Sequence, residues 1–406
     1  MPTQLTLYYH TGWEFPVLHC GWNGVQDWAD VHFLRVAGEP GWWKAELEML
    51  GPQLEFVLRA QDSSGWDKAP DGSNYKLGPL HENSAVVVVR SGEVSVVDLR
   101  RQPWVLVADM DGTLIGEPAE TVERLRRFWD LHCRFAVRPS DGVRLCQLAY
   151  NSGRNRQDML SGCRENNLPR PQFMICGVGT EIYTPCPPGS DDAAQKTPWY
   201  DHPELPKANQ AWKEKMEQEF GDRARLEDEV RARFPMLQIH GNVEHDPYRL
   251  PCMAQVTPEN PNILQELQAW GDKHATLRVI ISGMGDHRYV DICSVHADKG
   301  LAVEHLFQMG GFMGVKERSR IIMAGDSGND LRMFMVPGVR SVMVGNSQES
   351  LVEAVFAADP DAREALSRKG LPLVVKRPPP LLEVYYASGF VGDGVCEAIT
   401  QYYFDN

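Results

Sequence analysis

Four aspartates follow two apolar segments of the chain, and their spacing could bring four carboxylates to one site. Asp109 and Asp111 come directly after the run Trp104-Val-Leu-Val-Ala108, and Asp326 and Asp330 follow a second apolar run. Such short runs are typical of strands buried in a parallel sheet, which binds ligands at the carboxyl ends of its strands. Clustered carboxylates repel one another unless a cation binds, and hard oxygen ligands suit Mg²⁺. Taken alone, the segment after Trp104–Ala108 is equally compatible with an ordinary Asp-Gly turn that has no catalytic role. Asp326, taken alone, is compatible with a helix N-cap.

Two further segments have groups that could bind an anion. Asn151-Ser-Gly-Arg154 follows a predicted strand, where the hydroxyl of Ser152 and the backbone N–H of Gly153 can surround a phosphate oxygen. A Ser-Gly sequence alone is more often an ordinary turn. Lys299 lies in the first turn of a predicted helix, where the helix dipole favours anions. A lysine there suits a site in which the side chain and the helix N-terminus hold an anion together.

The composition excludes several classes of function. The chain has 406 residues, 43% hydrophobic and 24% charged, as in a globular protein of two or three domains. Its net charge of -14 argues against nucleic acid and anionic membranes as partners, and no apolar run reaches the roughly 18 residues of a membrane span. The nine scattered cysteines form no Cys-x-x-Cys pair, which favours reduced thiols. The first residues read as a strand, so we expect a cytoplasmic protein, or a plastid protein if an upstream transit peptide has been removed.

Apolar periodicity divides the chain into four parts. Short alternating runs separated by Gly, Asp, Asn and Pro predict an all-β sandwich over residues 1–98. Buried strands and an amphipathic helix from Ala119 to Cys133 predict a Rossmann-like parallel-sheet core over residues 99–183 and 294–406. Between the two halves of the core, residues 184–293 combine a Pro-rich loop, a charged helical region and three apolar segments, which predicts an inserted α/β cap over the acids. The fold class is therefore α/β, preceded by an all-β domain.

The first domain contains six of the eleven tryptophans. Some of them must fill its core, which is the ordinary role of a buried indole. Trp28 and Trp66 instead lie in unusually polar segments, and a tryptophan that leaves a flat apolar face in water usually binds a ligand. Sugar rings present C–H faces suited to stacking, and the indole N–H can donate to a hydroxyl group. These two residues are therefore candidate carbohydrate ligands.

This first domain resembles the starch-binding carbohydrate-binding modules of family 25. The resemblance rests on four short segments, Val17-Leu-His19, Gly41-Trp-Trp-Lys44, Trp66-Asp67 and Ser73-Asn-Tyr75. It implies that His19, Trp28 and Trp66 line a groove for starch or another α-glucan. The family often has Asn-Asn after the Trp-Asp pair, where this chain has Lys68-Ala69.

The rest of the chain is identified as a member of the haloacid dehalogenase superfamily of phosphatases. Its four motifs occur in order: Asp-x-Asp-Gly-Thr from Asp109, Ser-Gly-Arg from Ser152, Lys-Gly from Lys299 and Gly-Asp-Ser-Gly-Asn-Asp ending at Asp330. The insert between the second and third motifs is similar to the second cap type of that superfamily.

Residues 104–404 resemble the sucrose-phosphatase branch of the superfamily. The likeness rests on Val178-Gly-Thr-Glu-Ile182, Met343-Val-Gly-Asn-Ser-Gln-Glu-Ser-Leu351 and Tyr385-Tyr-Ala-Ser-Gly-Phe390. The branch typically has Ser-Thr-Gly-Arg at the second motif, and the replacement of its Thr by Ser152 keeps the hydroxyl. In the cap, Tyr248-Arg249 replaces a His-Lys pair of the branch, which bears on the leaving-group specificity.

The resemblance implies a division of roles among the motif residues. Asp109 would attack phosphorus to form an aspartyl-phosphate, and Asp111 would act first as general acid and then as general base. The residues that would hold the phosphoryl oxygens are Ser152, Gly153, Lys299 and Asn329. The ligands of Mg²⁺ would be Asp109, the backbone carbonyl of Asp111, Asp326 and Asp330.

The sequence therefore predicts a Mg²⁺-dependent phosphoric monoester hydrolase that acts on a sugar phosphate and is tethered to starch by its first domain. Sucrose 6-phosphate is the expected substrate, and another glycosyl phosphate or phosphate on the glucan itself is the alternative. A starch-bound scaffold without turnover is a third hypothesis. The intact acids argue against the scaffold.

Overall fold

The computed structural model describes residues 4–22, 28–80, 85–185, 197–202, 204, 206–283, 285–357 and 359–404. The chain divides into two compact units. The first comprises Met1–Pro103, Arg126–Gln147 and Cys186–Leu205, and the second comprises Trp104–Leu125, Leu148–Pro185 and Pro206–Asn406. The first unit thus continues past residue 98, where the sequence pattern ends the first domain. It also takes in one segment that the pattern assigns to the core, 126–147, and one that the pattern assigns to the cap, 186–205. The division into four parts at residues 98, 183 and 293 stays a prediction.

Short strands build the β-rich part of the first unit. They are β1 (Gln4–His10), β2 (Pro16–Trp22), β3 (Ala29–His32), β4 (Leu34–Arg35), β5 (Trp42–Glu48), β6 (Leu54–Ala60), β7 (Trp66–Asp67), β8 (Tyr75–Leu77), β9 (Ala85–Arg90) and β10 (Glu93–Val97). One sheet has the order β10-β9-β1-β5-β4, and the other has the order β3-β2-β6-β7 with β8 beside β6. Alternation along β1 buries Leu5, Leu7 and Tyr9, and one hydrophobic cluster joins them to Leu18 and Phe56 of the second sheet. The predicted β-rich character of this segment is confirmed.

Residues 126–147 belong to the first unit through specific side-chain contacts. The rings of Phe135 and Tyr8 stack with their centroids 3.8 Å apart. The buried carboxylate of Asp130 forms ion pairs with Arg90 and, at 2.5 Å, with Arg134. Because a buried charge is tolerated only with a partner, this network holds the segment against the β-rich part of the unit.

A nine-stranded sheet forms the core of the second unit. Its strands are β11 (Trp104–Ala108), β12 (Cys146–Asn151), β13 (Phe173–Cys176), β14 (Glu181–Thr184), β15 (Lys207–Ala208), β20 (Ile321–Gly325), β21 (Arg340–Met343), β22 (Leu373–Val375) and β23 (Val384–Tyr386). Their order is β15-β14-β13-β12-β11-β20-β21-β23-β22. The central pair β11 and β20 is parallel, whereas both edges of the sheet are antiparallel. All five residues of β11 are buried, as expected for a strand that is covered on both faces.

The second unit and the segment 126–147 also contain α-helices. They are α1 (Glu120–His132), α2 (Arg156–Glu165), α3 (Gln210–Phe220), α4 (Arg223–Arg233), α5 (Ile263–Gly271), α6 (Lys299–Gln308), α7 (Leu331–Phe334), α8 (Glu349–Phe356), α9 (Pro360–Lys369) and α10 (Gly392–Ile399). The helix predicted from Ala119 to Cys133 is confirmed as α1. Asp298 begins α6, because its side chain accepts a hydrogen bond from the N–H of Leu301. Within the described ranges, no helix is both long and apolar enough to cross a bilayer.

A second, four-stranded sheet is inserted between β15 and β20. It comprises β16 (Gln238–Ile239), β17 (Arg249–Gln255), β18 (Leu277–Ser282) and β19 (His287–Ser294) in the order β16-β17-β19-β18. One face of this sheet carries Leu250 and Ile292, which are fully buried in a cluster with Trp270 of α5. Because side chains alternate along a strand, Arg249 and Asp291 point to the opposite face. The insert therefore has the α/β composition that its sequence predicts, and we call it the cap.

Candidate active site

Three carboxylates converge at the carboxyl ends of two neighbouring strands. Asp109 directly follows β11, and Asp326 directly follows β20, the parallel neighbour of β11. Asp330 lies in the short turn that leads into α7. Each of the three offers one oxygen within 4.8 Å of the others, and all three are buried. Adjacent parallel strands end at the same edge of a sheet, which is why acids more than 200 positions apart in the sequence meet here.

Lys299 at the beginning of α6 lies between these carboxylates. Its Nζ is 3.0 Å from Oδ1 of Asp109 and 2.7 Å from Oδ1 of Asp330. Burial alone would lower the pKa of this ammonium group, but the charges of Asp109 and Asp330 outweigh burial and raise it. Nζ also donates to Oδ1 of Asn329 at 3.3 Å. Lys299 is therefore charged and contacts a second predicted phosphate-binding residue.

The cluster carries more negative charge than one lysine can balance. Burial and the charges of Asp330 and Asp326 raise the pKa of Asp109 to about 8, although Lys299 opposes this. Burial and the charge of Asp330 likewise raise the pKa of Asp326 to about 7. Both carboxylates are thus poorly stabilised in their ionised forms, and a divalent cation would correct this.

The donor set of the cluster fits Mg²⁺. Oδ1 of Asp109 is buried and accepts no hydrogen bond from any described residue, although Lys299 lies close to it. Asp330, in contrast, accepts hydrogen bonds from the N–H groups of Asp326 at 3.1 Å and Ser327 at 3.0 Å and from Lys299. Asp326 accepts one hydrogen bond, at Oδ1 from Thr113, so Asp109 and Asp326 are more available as ligands than Asp330, which chiefly orders the loop. Hard, partly unsatisfied carboxylate oxygens are what Mg²⁺ prefers.

The loop after Asp109 approaches Asp326 closely. Oγ1 of Thr113 donates to Oδ1 of Asp326 at 2.9 Å. Gly112 has a φ of +77°, and a Cβ at this position would lie 2.5 Å from Oδ2 of Asp326, so only glycine fits. Nδ2 of Asn346 donates to the carbonyl of Gly112 at 2.7 Å. Sequence reasoning gave Thr113 and Asn346 no role, although Thr113 stands in the first motif and Asn346 lies in the segment Met343–Leu351 that carries the branch resemblance.

The segment Ser152–Arg154, which we call the phosphate loop, follows β12. The carbonyl groups of Ser152 and Arg154 accept hydrogen bonds from the N–H groups of Val178 at 3.1 Å and Gly177 at 2.8 Å. Nδ2 of Asn151, just before the loop, donates to the carbonyl of Lys299 at 2.9 Å. This contact joins the phosphate loop to the beginning of α6, a role for Asn151 that its sequence context did not reveal.

Asp111 stands apart from the three clustered carboxylates. Its side chain is 56% exposed and forms a two-pronged ion pair with Arg154, at 2.8 Å from Nε and 2.7 Å from Nη2. Its charge nevertheless contributes to the raised pKa of Asp326, so it lies near the cluster. The carboxylate of Asp111 is thus not one of the three clustered acids, and Arg154 binds both of its oxygens.

A cavity of about 600 Å³ lies beside Lys299. The core contributes Lys299 and Asn329 to its wall. The polar residues that the cap contributes are Gln268, Asp272, His274 and Arg278. Arg249 does not line this cavity: its guanidinium is buried and pairs with Asp246 and Asp291. Tyr248 lines a second cavity, of about 290 Å³, and the effect of Tyr248-Arg249 on the leaving group stays a prediction.

The three predicted glucan-binding residues belong to the first unit. Nδ1 of His19 lies 2.8 Å from Oδ1 of Asp30, and the rings of His19 and Trp28 are 5.0 Å apart between centroids. Trp66 pairs in register with Arg59 and is 51% exposed. Arg59 pairs in turn with Val17, two residues from His19 on β2, so alternation places His19 and Trp66 on the same face of the second sheet.

Comparisons with known proteins agree with this geometry. The family model of the sucrose-6F-phosphate phosphohydrolases matches residues 102–368. Sucrose-phosphatase 2 of Nicotiana tabacum is 25% identical over 251 residues, which are 61% of this chain and 51% of that protein. Mannosylfructose-phosphate phosphatase of Agrobacterium fabrum is 28% identical over 250 residues, 61% of this chain and 85% of that protein. The chain thus matches about half the length of the plant enzyme.

A solved structure shares the fold. The sucrose-phosphatase of Synechocystis sp. PCC6803, solved with sucrose and phosphate, covers 74% of this chain and 98% of its own, with 21% identity and a TM-score of 0.51. The α/β phosphatase fold of the second unit is thereby confirmed.

Proposed function

The chain belongs to the sucrose-6F-phosphate phosphohydrolase family, and we propose that it hydrolyses a small sugar phosphate, with sucrose 6-phosphate as the preferred substrate. The observation that carries this proposal is the buried cluster, in which Asp109 stands at a strand end with Nζ of Lys299 3.0 Å away and two further acids beside it. A carboxylate in this position can attack phosphorus while the lysine balances the charge of the phosphoryl group.

The reaction has two steps. In the first, an oxygen of Asp109 bonds to phosphorus while the bond from phosphorus to the sugar oxygen breaks, and Asp111 gives its proton to that oxygen. In the second, Asp111 takes a proton from water, the water oxygen bonds to phosphorus, and the bond from phosphorus to Asp109 breaks. The products are the free sugar and phosphate. Because both carboxylate oxygens of Asp111 accept hydrogen bonds from Arg154, this pair has to open before either oxygen can reach the sugar oxygen.

The remaining residues of the cluster hold the phosphoryl group. Lys299, Asn329 and the phosphate loop would bind its oxygens during both steps. Mg²⁺, held by Asp109, Asp326 and the backbone carbonyl of Asp111, with Asp330 ordering the loop, would supply positive charge that helps to align the group for in-line attack.

The cavity beside Lys299 favours a small sugar over a polymer. Its volume of about 600 Å³ lies within the roughly 300–1,000 Å³ of pockets that hold small molecules. Gln268, His274 and Arg278 supply side-chain groups that can bind sugar hydroxyls. Lys299 joins this cavity to Asp109, so we expect a mono- or disaccharide to fit the cavity with its phosphate at Lys299, whereas a glucan chain exceeds its volume.

We expect sucrose 6-phosphate to have the highest kcat/KM in a panel of phosphate esters. The panel comprises sucrose 6-phosphate, mannosylfructose phosphate, glucose 6-phosphate, fructose 6-phosphate, trehalose 6-phosphate and phosphorylated amylopectin, with phosphate release as the readout. We expect amylopectin to be the poorest substrate by at least about a hundredfold, because the cap excludes it from the near-attack geometry.

Two outcomes of the panel would change the proposal in different ways. A preference for amylopectin would contradict the cavity argument. A preference for another small sugar phosphate, such as the mannosylfructose phosphate named for the bacterial relative, would change the substrate and leave the reaction as it stands.

The β-rich part of the first unit would place the enzyme on starch. Two sheets that share one hydrophobic cluster are compatible with the predicted sandwich. The exposed indole of Trp66 and the packed rings of His19 and Trp28 offer apolar faces on which sugar rings can stack. The hydrogen bond from His19 to Asp30 orients its imidazole, whose other nitrogen can bind a hydroxyl.

We expect Trp66→Ala to reduce sedimentation with granular starch by about tenfold without changing the turnover of a small soluble substrate. Because half of this side chain is exposed, its loss should lower the stability only slightly. Leu34→Ala is the matched control, since Leu34 is an apolar residue of the same unit that is 67% exposed on the other sheet. If Trp66→Ala and Trp28→Ala both sediment like the wild type, the glucan site lies elsewhere or does not exist.

A further inference from the structure

One buried arginine of the cap reaches the phosphate loop. Nη1 of Arg249, the first residue of β17, donates to the carbonyl of Gly153 at 2.6 Å. The same guanidinium donates through Nε to Oδ1 of Asp246 at 3.0 Å and through Nη1 to Oδ1 of Asp291 at 3.1 Å. All three charged side chains are at least nine-tenths buried. The two carboxylates therefore fix the guanidinium in one orientation, and that orientation aims Nη1 at Gly153.

The carbonyl of Gly153 has a different kind of hydrogen-bond donor from the carbonyls of Ser152 and Arg154. The carbonyls of Ser152 and Arg154 are bound by backbone N–H groups of the same core, at Val178 and Gly177. Among the described residues, the partner of the Gly153 carbonyl is a side chain, and this side chain comes from the cap, 96 positions away in the sequence. The peptide group between Gly153 and Arg154 is thus oriented by Arg249, and its N–H lies 3.2 Å from Oγ of Ser152.

We propose that Arg249 is a positioning residue of the cap that orients the phosphate loop, so that phosphate affinity depends on its hydrogen bond to the carbonyl of Gly153. This inference rests on the proposed function, because it assigns phosphate binding to Ser152 and Gly153. With this bond in place, Arg249 fixes the carbonyl of Gly153, and the loop can present the hydroxyl of Ser152 and the N–H of Gly153 to the phosphoryl oxygens, while the N–H of Arg154 donates to Oγ of Ser152. Without this bond, the loop loses that partner, and its affinity for phosphate falls.

Arginine suits this role better than lysine does. Its planar fork binds two carboxylates and one carbonyl at the same time in fixed directions, whereas an ammonium group is a point charge on a flexible stem. A lysine side chain at this position would keep the positive charge between Asp246 and Asp291 but could not reach all three acceptors with the same geometry. The substitution Arg249→Lys therefore separates orientation of the loop from neutralisation of the buried acids.

The test is the equilibrium binding of inorganic phosphate to the whole protein in the presence of Mg²⁺, measured by titration calorimetry. We expect Arg249→Lys to raise the Kd for phosphate by at least about tenfold, as for the loss of a hydrogen bond to a charged donor. The matched control is Arg223→Lys. Arg223 donates to the carbonyl of Arg249 at 3.2 Å and pairs with Glu227, yet none of its hydrogen bonds to described residues reaches the phosphate loop. For Arg223→Lys we expect a Kd within about twofold of the wild type.

A second readout separates loop positioning from leaving-group recognition. p-Nitrophenyl phosphate carries no sugar, so its kcat/KM depends on the phosphate site and not on sugar contacts in the cap. We expect Arg249→Lys to lower kcat/KM for p-nitrophenyl phosphate and for sucrose 6-phosphate by the same factor. A loss confined to the sugar phosphate would overturn the inference.

Several other outcomes would also overturn it. An unchanged Kd in Arg249→Lys would do so, and so would an equal loss in Arg223→Lys, since that would mean general damage to the cap. If Arg249→Lys does not fold, Asp246→Asn loosens the same guanidinium and should raise the Kd about threefold or more; an unchanged Kd then counts against the inference. If no sugar phosphate in the panel releases phosphate, the proposed function is wrong, but the phosphate titration is unaffected. The failure of the proposed function and the failure of this inference are therefore distinguishable.

Discussion

Asp109→Asn is expected to lower turnover by at least about 10³-fold while the protein stays folded. The amide is nearly isosteric with the carboxylate, but it cannot form the bond to phosphorus that the first step requires. Burial and the neighbouring acids raise the pKa of Asp109 to about 8, so an ionised carboxylate at neutral pH is unfavourable in the folded state without a bound cation. The amide removes that repulsion, and the metal-free melting temperature should therefore hold or rise.

Phosphate release from sucrose 6-phosphate, together with thermal unfolding of the metal-free protein, checks this expectation. Asp158→Asn serves as the control, because Asp158 is an exposed acid in the first turn of α2 and lies outside the cluster. Turnover of Asp109→Asn within tenfold of the wild type would refute the role of Asp109 as nucleophile. A fall in activity that is matched by Asp158→Asn would point to a general electrostatic effect.

Removal of divalent cations is expected to reduce phosphate release to the background rate, and added Mg²⁺ should restore it. The clustered oxygens of Asp109, Asp326 and Asp330 lie within 4.8 Å of one another, and Lys299 alone cannot balance their charge. Because Mg²⁺ binds the folded state, a saturating concentration should also raise the melting temperature by a few degrees. This thermal shift does not depend on turnover.

Asp326→Asn is the matched variant for the metal experiment. It removes one of the two more available carboxylates and should abolish most of the Mg²⁺-dependent rise in melting temperature, while Na⁺ at equal ionic strength should produce no rise in either protein. Undiminished turnover in excess chelator would remove Asp326 from its proposed role. A thermal shift that survives in Asp326→Asn would move the metal site elsewhere.

The sequence by itself determined the elements whose signals are local. The apolar run before Asp109 predicts a strand because burial on both faces requires it, and the run is β11, with all five residues buried. Acids at the ends of buried strands predict a shared site because parallel strands end at one edge. The spacing of apolar residues on one helical face likewise predicts α1 within one residue at each end.

Only the tertiary structure decided which charged groups pair with one another. The residue types of Asp111 and Arg154 are compatible with many partners, and their mutual ion pair depends on how the loops after β11 and β12 lie. The sequence marks Arg249 only as a departure from the His-Lys pair of the branch, and its contacts with Gly153, Asp246 and Asp291 follow from the packing of the cap. The assignment of residues 126–147 to the first unit rests on contacts such as Arg90 with Asp130, 40 positions apart. Local patterns encode burial and backbone geometry, whereas the partner of a buried charge is selected by long-range packing, because desolvation permits the charge only where the fold brings an opposite one.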